Sequence, residues 1–407
     1  MNEEKEEMRL PVKFIMNKDK TKVLFAEAGR DFTDALLSFL VLPLGTIVKI
    51  LQKHHGDEKA AVIGSLSTLY NSLANLDTFH FSTEDAKNLL VNPTSLDAGE
   101  HPRFDRAFTE TRASFIIGDD LKVMRSVEGS IMSTLSSLGV AMTEMDGAET
   151  WNLKFGYKEM MALLRMMFVS RKPLTALLRG HQCTRAARQA NPVVNKIGKR
   201  ALSMNPKKMI LKVMIQKSTN KLLFAQAHGN FVSFLFGLLA IPLGRVEWYL
   251  HSNTGITATD NLHWSIMDSL YGYDVMTTEA KDLLFKPPLL DDVSCNEMDA
   301  QFGSCNDYLS LSFDRSKSRC HVRGSTMYMV SDDLRVTPLS VSSGVSVINE
   351  MKVALSDVKE MELHVGLEEG LSILKAALTS TMALTDGLIN LMLKNKNHQP
   401  KQENLVD

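Results

Sequence analysis

Lys22 to Gly45 reads KVLFAEAGRDFTDALLSFLVLPLG, and Lys221 to Gly244, shifted by 199 positions, reads KLLFAQAHGNFVSFLFGLLAIPLG. Eleven of these 24 positions are identical, where average composition gives about one or two by chance. The identities pair Phe25 with Phe224, Pro43 with Pro242 and Gly45 with Gly244. Three further blocks recur in the same order. Ala86-Lys87 with Leu89-Leu90 and Pro93 answers Ala280-Lys281 with Leu283-Leu284 and Pro287. FIIGDDLKV (Phe115 to Val123) answers YMVSDDLRV (Tyr328 to Val336), and Leu174-Thr175 answers Leu384-Thr385. Collinear blocks with small changes of offset describe two tandem copies of a domain-sized unit. The copies are placed at 9–180 and 207–392, with a basic linker at 181–206 and a frayed tail at 393–407.

Within a copy the local patterns alternate between strand and helix. Pro11–Met16 and Lys22–Ala28 flank a polar turn and predict a hairpin. Asp31 is positioned to cap a helix carrying Phe32, Leu36, Leu37 and Leu40, and Pro43 ends it or opens the next one. Ile63, Leu66, Leu69, Tyr70 and Leu73 have helical spacing, and Ser82-Thr83-Glu84-Asp85 opens a short helix that stops near Pro93. Ser114–Ile117 and Leu121–Met124 form a second hairpin about Gly118-Asp119-Asp120, followed by helix at Ile131–Leu138, strand through Trp151, Leu153 and Phe155, and helix over Lys158–Val169. Each copy is therefore α+β, a hairpin-plus-helices unit with an N-terminal and a C-terminal half.

Composition bounds the function. Hydrophobic residues make up 44% and charged residues 23% of the 407 positions, the balance of a folded globular chain. Lys plus Arg number 46 against 47 for Asp plus Glu, so no global field favours nucleic acid, an anionic membrane or an acidic partner. The longest apolar stretches, Ala35–Val48 and Phe231–Leu243, are interrupted and too short for a membrane span. Met1–Met8 lacks the basic and apolar regions of a signal peptide, and four cysteines make no disulfide framework. A cytoplasmic location is expected, with the nucleus as the alternative.

The blocks KVLFAEAGRDF, LPLGTIVKIL, FIIGDDLKV and KPLTALL resemble the plant family called domain of unknown function 674, whose members are often tandem copies of this unit. The resemblance covers nearly all of residues 11–390. It implies the duplicated architecture and transfers no catalytic residues. Members of that family often carry a cysteine-rich loop with Cys-x-Cys-Gly ahead of the DDL block. Here Cys305 and Cys320 stand in comparable places, the last element reads Cys320-His321-Val322-Arg323-Gly324, and copy one has no cysteine there.

Candidate chemistry is sparse. Asp119-Asp120 and Asp332-Asp333 are the duplicated carboxylates and suggest metal ligation or acid–base work, but neighbours on an extended strand point to opposite faces, and aspartate is a turn former. Cys295, Cys305, Cys320 and His321 are candidate zinc ligands, although structural zinc favours close cysteine pairs; otherwise no cofactor is expected. Gly-x-Ser-x-Gly, Walker, Gly-x-Gly-x-x-Gly and His-Glu-x-x-His motifs do not occur in the chain. The stretch Arg179–Lys208 holds eight Lys or Arg and no acid, dispersed as in a solvated linker; nucleic-acid binding is the sharper alternative. Met160-Met161 and Met166-Met167 read as core filler before they read as an adaptable surface. The expectation is a non-catalytic interaction module with a protein partner. The alternatives are an enzyme with its site between the copies or at the DDL turns, and a nucleic-acid binder acting through the linker.

Overall fold

Leu10, Val12 and Phe14 alternate with Pro11 and Lys13, and this period of two makes a strand with one face in the core. The computed structural model describes residues 9–55, 63–93, 107–110, 113–126, 130–180, 208–268, 270, 275–289, 321–324 and 326–390. Copy one runs β1 (Leu10–Met16), β2 (Val23–Gly29), α1 (Arg30–Leu37), α2 (Leu44–His55), α3 (Leu66–Asn75), α4 (Glu84–Val91), β3 (Ser114–Gly118), β4 (Val123–Arg125), α5 (Ile131–Ser137), β5 (Glu149–Phe155), α6 (Tyr157–Val169) and α7 (Pro173–Leu178). Copy two repeats the order with β6 (Met209–Gln216), β7 (Leu222–His228), α8 (Gly229–Leu238), α9 (Leu243–Tyr249), α10 (Thr257–Asp268), α11 (Thr278–Phe285), β8 (Met327–Ser331), β9 (Val336–Pro338), α12 (Val341–Glu350), β10 (Val358–Val365) and α13 (Leu367–Thr379). The protein is α+β.

Each copy builds one antiparallel five-stranded sheet. The orders β4-β3-β2-β1-β5 and β9-β8-β7-β6-β10 are the same path traced twice. Register agrees as well: Phe25 faces Gly118, Phe224 faces Ser331, and both hairpins shift register at matching places, Ile15/Met16 and Met214/Ile215. Phe25 and Phe224 are buried, each on the sheet face covered by the small helix of its own copy: Leu135 of α5 in one case, Ile348 of α12 in the other.

Pro43 and Pro242 each stand before a new helix, so the element left open by the sequence is two helices, α1 and α2, joined by a 3-10 turn at Ser38–Val41. Thr83 caps α4 by accepting from the Ala86 amide, and Thr277 does the same for Ala280 in α11. The Asp31 cap is corrected. Gly29 occupies the cap position with extended backbone, and Asp31 lies inside the first turn of α1, where a carboxylate favours the exposed amides without capping them.

Packing does not follow chain order. One compact unit draws on Met1–Val62, Thr94–Gln189 and Ile241–Leu290, and the other on Ile63–Pro93, Ala190–Ala240 and Asp291–Asp407. The first unit thus joins the sheet of copy one to α9, α10 and α11 of copy two. Within it, the Val123 amide donates to Ser265 Oγ at 2.9 Å, Asn261 Nδ2 donates to the Asp120 carbonyl at 3.1 Å, and the Glu110 amide donates to the Val275 carbonyl at 2.8 Å. Pro43 pairs with Pro242 through Leu44 N to Ile241 O and Leu243 N to Leu42 O. A Cβ added at Gly244 would lie 2.4 Å from the Leu284 carbonyl oxygen, which is why that position holds glycine. Phe14 stacks on Phe155, Phe32 meets Phe155 edge-on, and Met160, Met161, Met166 and Met167 are buried in this core.

The second unit joins the sheet of copy two to α3 and α4 of copy one. The Val336 amide donates to Ser72 Oγ at 3.1 Å, and the Ser65 amide and hydroxyl donate to the Ala377 and Ser380 carbonyls at 2.9 and 2.7 Å. Gly64, at φ +46°, lies so close to the backbone of α13 that a Cβ would fall 2.3 Å from the Ala377 oxygen. Phe81 bridges to Val322 and stacks on Phe236.

Candidate functional site

The duplicated aspartates lie at the β3–β4 and β8–β9 turns, where Leu121 and Leu334 take positive φ (63° and 64°). In each pair the first carboxylate turns inward. Asp119 accepts from the Thr175 amide at 2.8 Å and the Thr175 hydroxyl at 2.7 Å, and Asp332 accepts from the same two groups of Thr385 at the same distances. These clasps tie the DDL block to the Leu-Thr block. Thr175 Oγ1 also receives the Val23 amide at 2.8 Å and so reaches the first block. The second carboxylates serve their own turns: Asp120 accepts from the Lys122 amide, and Asp333 from Ser331 Oγ. Burial pushes both Asp119 and Asp332 above the usual carboxylate range, opposed by their threonine bonds.

A second polar cluster belongs to copy two alone. Glu247 projects from α9 and is fully buried among Thr254, Thr259 and Asp260. Thr254 joins the two acids: its hydroxyl donates to Asp260 Oδ1 at 2.7 Å and lies 3.3 Å from Glu247 Oε1, while its amide also donates to Asp260 Oδ1. Burial first, then the negative charge of Asp260, raise the Glu247 carboxyl well above its ordinary range. Its Oε2 is buried and accepts no hydrogen bond. The raised carboxyl favours the neutral, protonated acid, which costs less to bury than a carboxylate at an oxygen without a partner.

His263 of α10 completes the cluster. Its Nε2 lies 2.8 Å from the Phe285 carbonyl, which can only accept, so Nε2 carries the proton and Nδ1 accepts from Ser252 Oγ at 2.7 Å. Burial lowers this imidazole to about 4, so it is neutral at pH 7. Arg245 is also buried, donates to the Tyr249 hydroxyl, and lies over the Trp248 and Tyr249 rings.

The sequence did not single out this cluster, yet it contains a signal. Under the repeat alignment Thr46, Val48, Ser67 and Tyr70 correspond to Arg245, Glu247, Asp260 and His263. Val48 is a buried aliphatic residue where copy two buries an acid. Of the zinc candidates, Cys295, Cys305 and Cys320 lie outside the described residues, as does the basic linker at 181–206. His321 offers its carbonyl to the Ser82 amide. Among the described residues no group of three or more His, Cys, Asp or Glu side chains is arranged to hold a metal ion. No helix among them is long and apolar enough to cross a membrane.

Two repeats, each with an antiparallel sheet, a two-bond Asp–Thr clasp and helices shared with the other copy, define an α+β protein of duplicated, interleaved architecture. The chain belongs to the family described as "Protein of unknown function (DUF674)", whose profile matches residues 6–104, 97–290 and 291–406. Both changeovers between these matches, near 97–104 and at 290/291, fall close to places where the chain passes from one unit to the other. No curated protein and no solved structure matches the chain.

Proposed function

We propose that the protein is a non-catalytic interaction module that offers a small apolar helix from each copy to a protein partner. The observation that carries this reading is a repeated exposure. Met132 of α5 and Val345 at the equivalent position of α12 are both exposed, and each has a further exposed aliphatic neighbour on its own helix, Ile131 (73%) in α5 and Val341 (87%) in α12. Leu135 and Ile348 pin the same helices to their sheets, so each helix has one apolar side seated and another facing water, a pattern suited to a partner. The polar signature residues support the reading because their bonding capacity is spent inside the fold. Four cysteines in 407 residues suit a reducing compartment.

The acid cluster favours a second reading, an enzyme using Glu247 as a proton donor. Glu247 is 0% exposed, so no substrate reaches it without an opening of α9 and α10, and this reading ranks below the first. The test pairs Ile131→Glu with Val341→Glu. Both positions are exposed, so Tm should move by no more than about 2 °C, while a partner that binds the purified wild-type protein at fixed stoichiometry should no longer bind. Undiminished binding by the double variant would remove the helices from the proposal. Turnover of a small molecule that disappears in Glu247→Gln at unchanged Tm would favour the enzyme.

A further inference from the structure

The helices that cross between copies do so reciprocally. Ser265 of copy two accepts the Val123 amide of copy one, and Ser72 of copy one accepts the Val336 amide of copy two. Ser72 and Ser265 are equivalent positions of the repeat, flanked by Leu69 and Leu73 in one helix and by Leu262 and Ile266 in the other, all buried. Short bridges accompany them on equivalent segments, one residue out of register with each other: Thr109 with Met276 in one unit, Val322 with Phe81 in the other. The first helix of each copy answers in the same way. Asp34 Oδ1 accepts the Thr109 amide, and Ser233 Oγ accepts the Val322 amide. Tyr70 and His263 likewise reach the carbonyls of Val91 and Phe285 at the ends of α4 and α11.

From this reciprocity we infer that the α3–α4 and α10–α11 pairs are docking elements, and that the partner each sheet is built to receive is the helix pair of another copy of this repeat. The serine–amide bonds and the helix-end bonds of Tyr70 and His263 recur in both directions, so this part of the contact is of the self-complementary kind that closes with two copies. A copy deprived of its counterpart would leave buried amides such as Val123 or Val336 without an acceptor and would expose the apolar sides of the donated helices. Covalent linkage between copies is not required for any of these bonds. This inference goes beyond the partner surface of α5 and α12 and does not depend on it.

A site-specific protease sequence placed within residues 181–207 of the full chain tests it. After cutting, the halves should remain in one complex of full-chain mass until denaturant is added. Heavy-isotope and unlabelled cut protein, warmed together toward Tm, should yield mixed pairs by native mass spectrometry. Two separately folded species of half mass would overturn the proposal. Amide exchange on the uncut chain distinguishes exchanged helices from mere adhesion. Ser265→Ala should raise deuterium uptake at Val123 by roughly tenfold and leave Val336 unchanged, and Ser72→Ala should do the reverse. Uptake at Val123 that responds to Ser72→Ala would show each helix packed on its own copy and would overturn it as well.

Discussion

At the turn after the third strand the two copies are interchangeable, whereas along their central helices they are not. Asp119 and Asp332 make the same two bonds to Thr175 and Thr385. Val48, Ser67 and Tyr70 of copy one stand where copy two has Glu247, Asp260 and His263, a buried acid and a half-buried one beside a buried neutral imidazole. A polar group that repeats with its partner belongs to the frame. One that appears in a single copy carries a desolvation cost that the other copy shows to be unnecessary for folding. Copy two is therefore where chemistry specific to this chain is to be sought.

The clasps give the largest test of that division. Asp119→Ala and Asp332→Ala each leave a buried amide and a hydroxyl without an acceptor, for a loss of about 4 kcal/mol by urea denaturation. Asp119→Ala should cost more of the two, because Thr175 Oγ1 also holds the Val23 amide. The asparagine variants keep one acceptor oxygen and should lose about half as much. A loss below about 1 kcal/mol in one copy alone would break the equivalence on which the frame reading rests.

The frame was legible because it is local. The hairpin of β1 and β2, the Thr83 cap, the proline breaks and the buried methionine pairs all follow from patterns a few residues long. The interleaving was not, since Leu66, Leu69 and Leu73 read as the same apolar side whichever sheet they cover, and nothing in their spacing names the copy. The acid cluster was hidden for a related reason. Glu247 sits between Val246 and Trp248 on a short helix and reads as a solvated residue until Thr254 and Asp260 close over it. The misfit of Val48 with Glu247 was the available clue, visible only by comparing the copies beyond their identical positions.

Acid should act through His263. Its folded value of about 4 lies below the ordinary 6.5, so the unfolded chain binds a proton that the folded chain refuses. The stabilisation is complete above pH 6.5 and drains away as pH falls toward 4, by about 3 kcal/mol. His263→Gln, which keeps a donor for the Phe285 carbonyl, should flatten that slope in denaturation curves taken from pH 7 to 4. An unchanged slope would move the acid sensitivity elsewhere.

Glu247 runs in the opposite sense. Its carboxyl is raised, so its contribution is complete below the unfolded value of about 4.5 and is lost as pH rises through the folded one. Glu247→Gln imitates the neutral, protonated form. It should match wild type near pH 4 and exceed it by about 1 to 2 kcal/mol at pH 8. Lower stability at every pH would refute the reading of Glu247 as a neutral buried acid.

The smallest effect lies on the open face of the hairpins and sharpens the comparison from the other side. Lys13 faces Glu27 across β1 and β2, with Nζ and Oε2 at 2.8 Å and both side chains nearly half exposed, while the matching pair in copy two is Lys212 and Gln226. Water and salt screen such a pair, and ordering two long side chains offsets most of its attraction. Glu27→Gln therefore gives copy one the side chain of copy two at a cost of no more than about 0.5 kcal/mol at low salt, vanishing near 1 M salt. A cost above about 1 kcal/mol that persists in salt would mean that Glu27 supports the sheet by more than its charge. In that case a difference between the copies can bear on stability even at the surface, and the division between shared frame and private chemistry would have to be drawn by burial as well as by repetition.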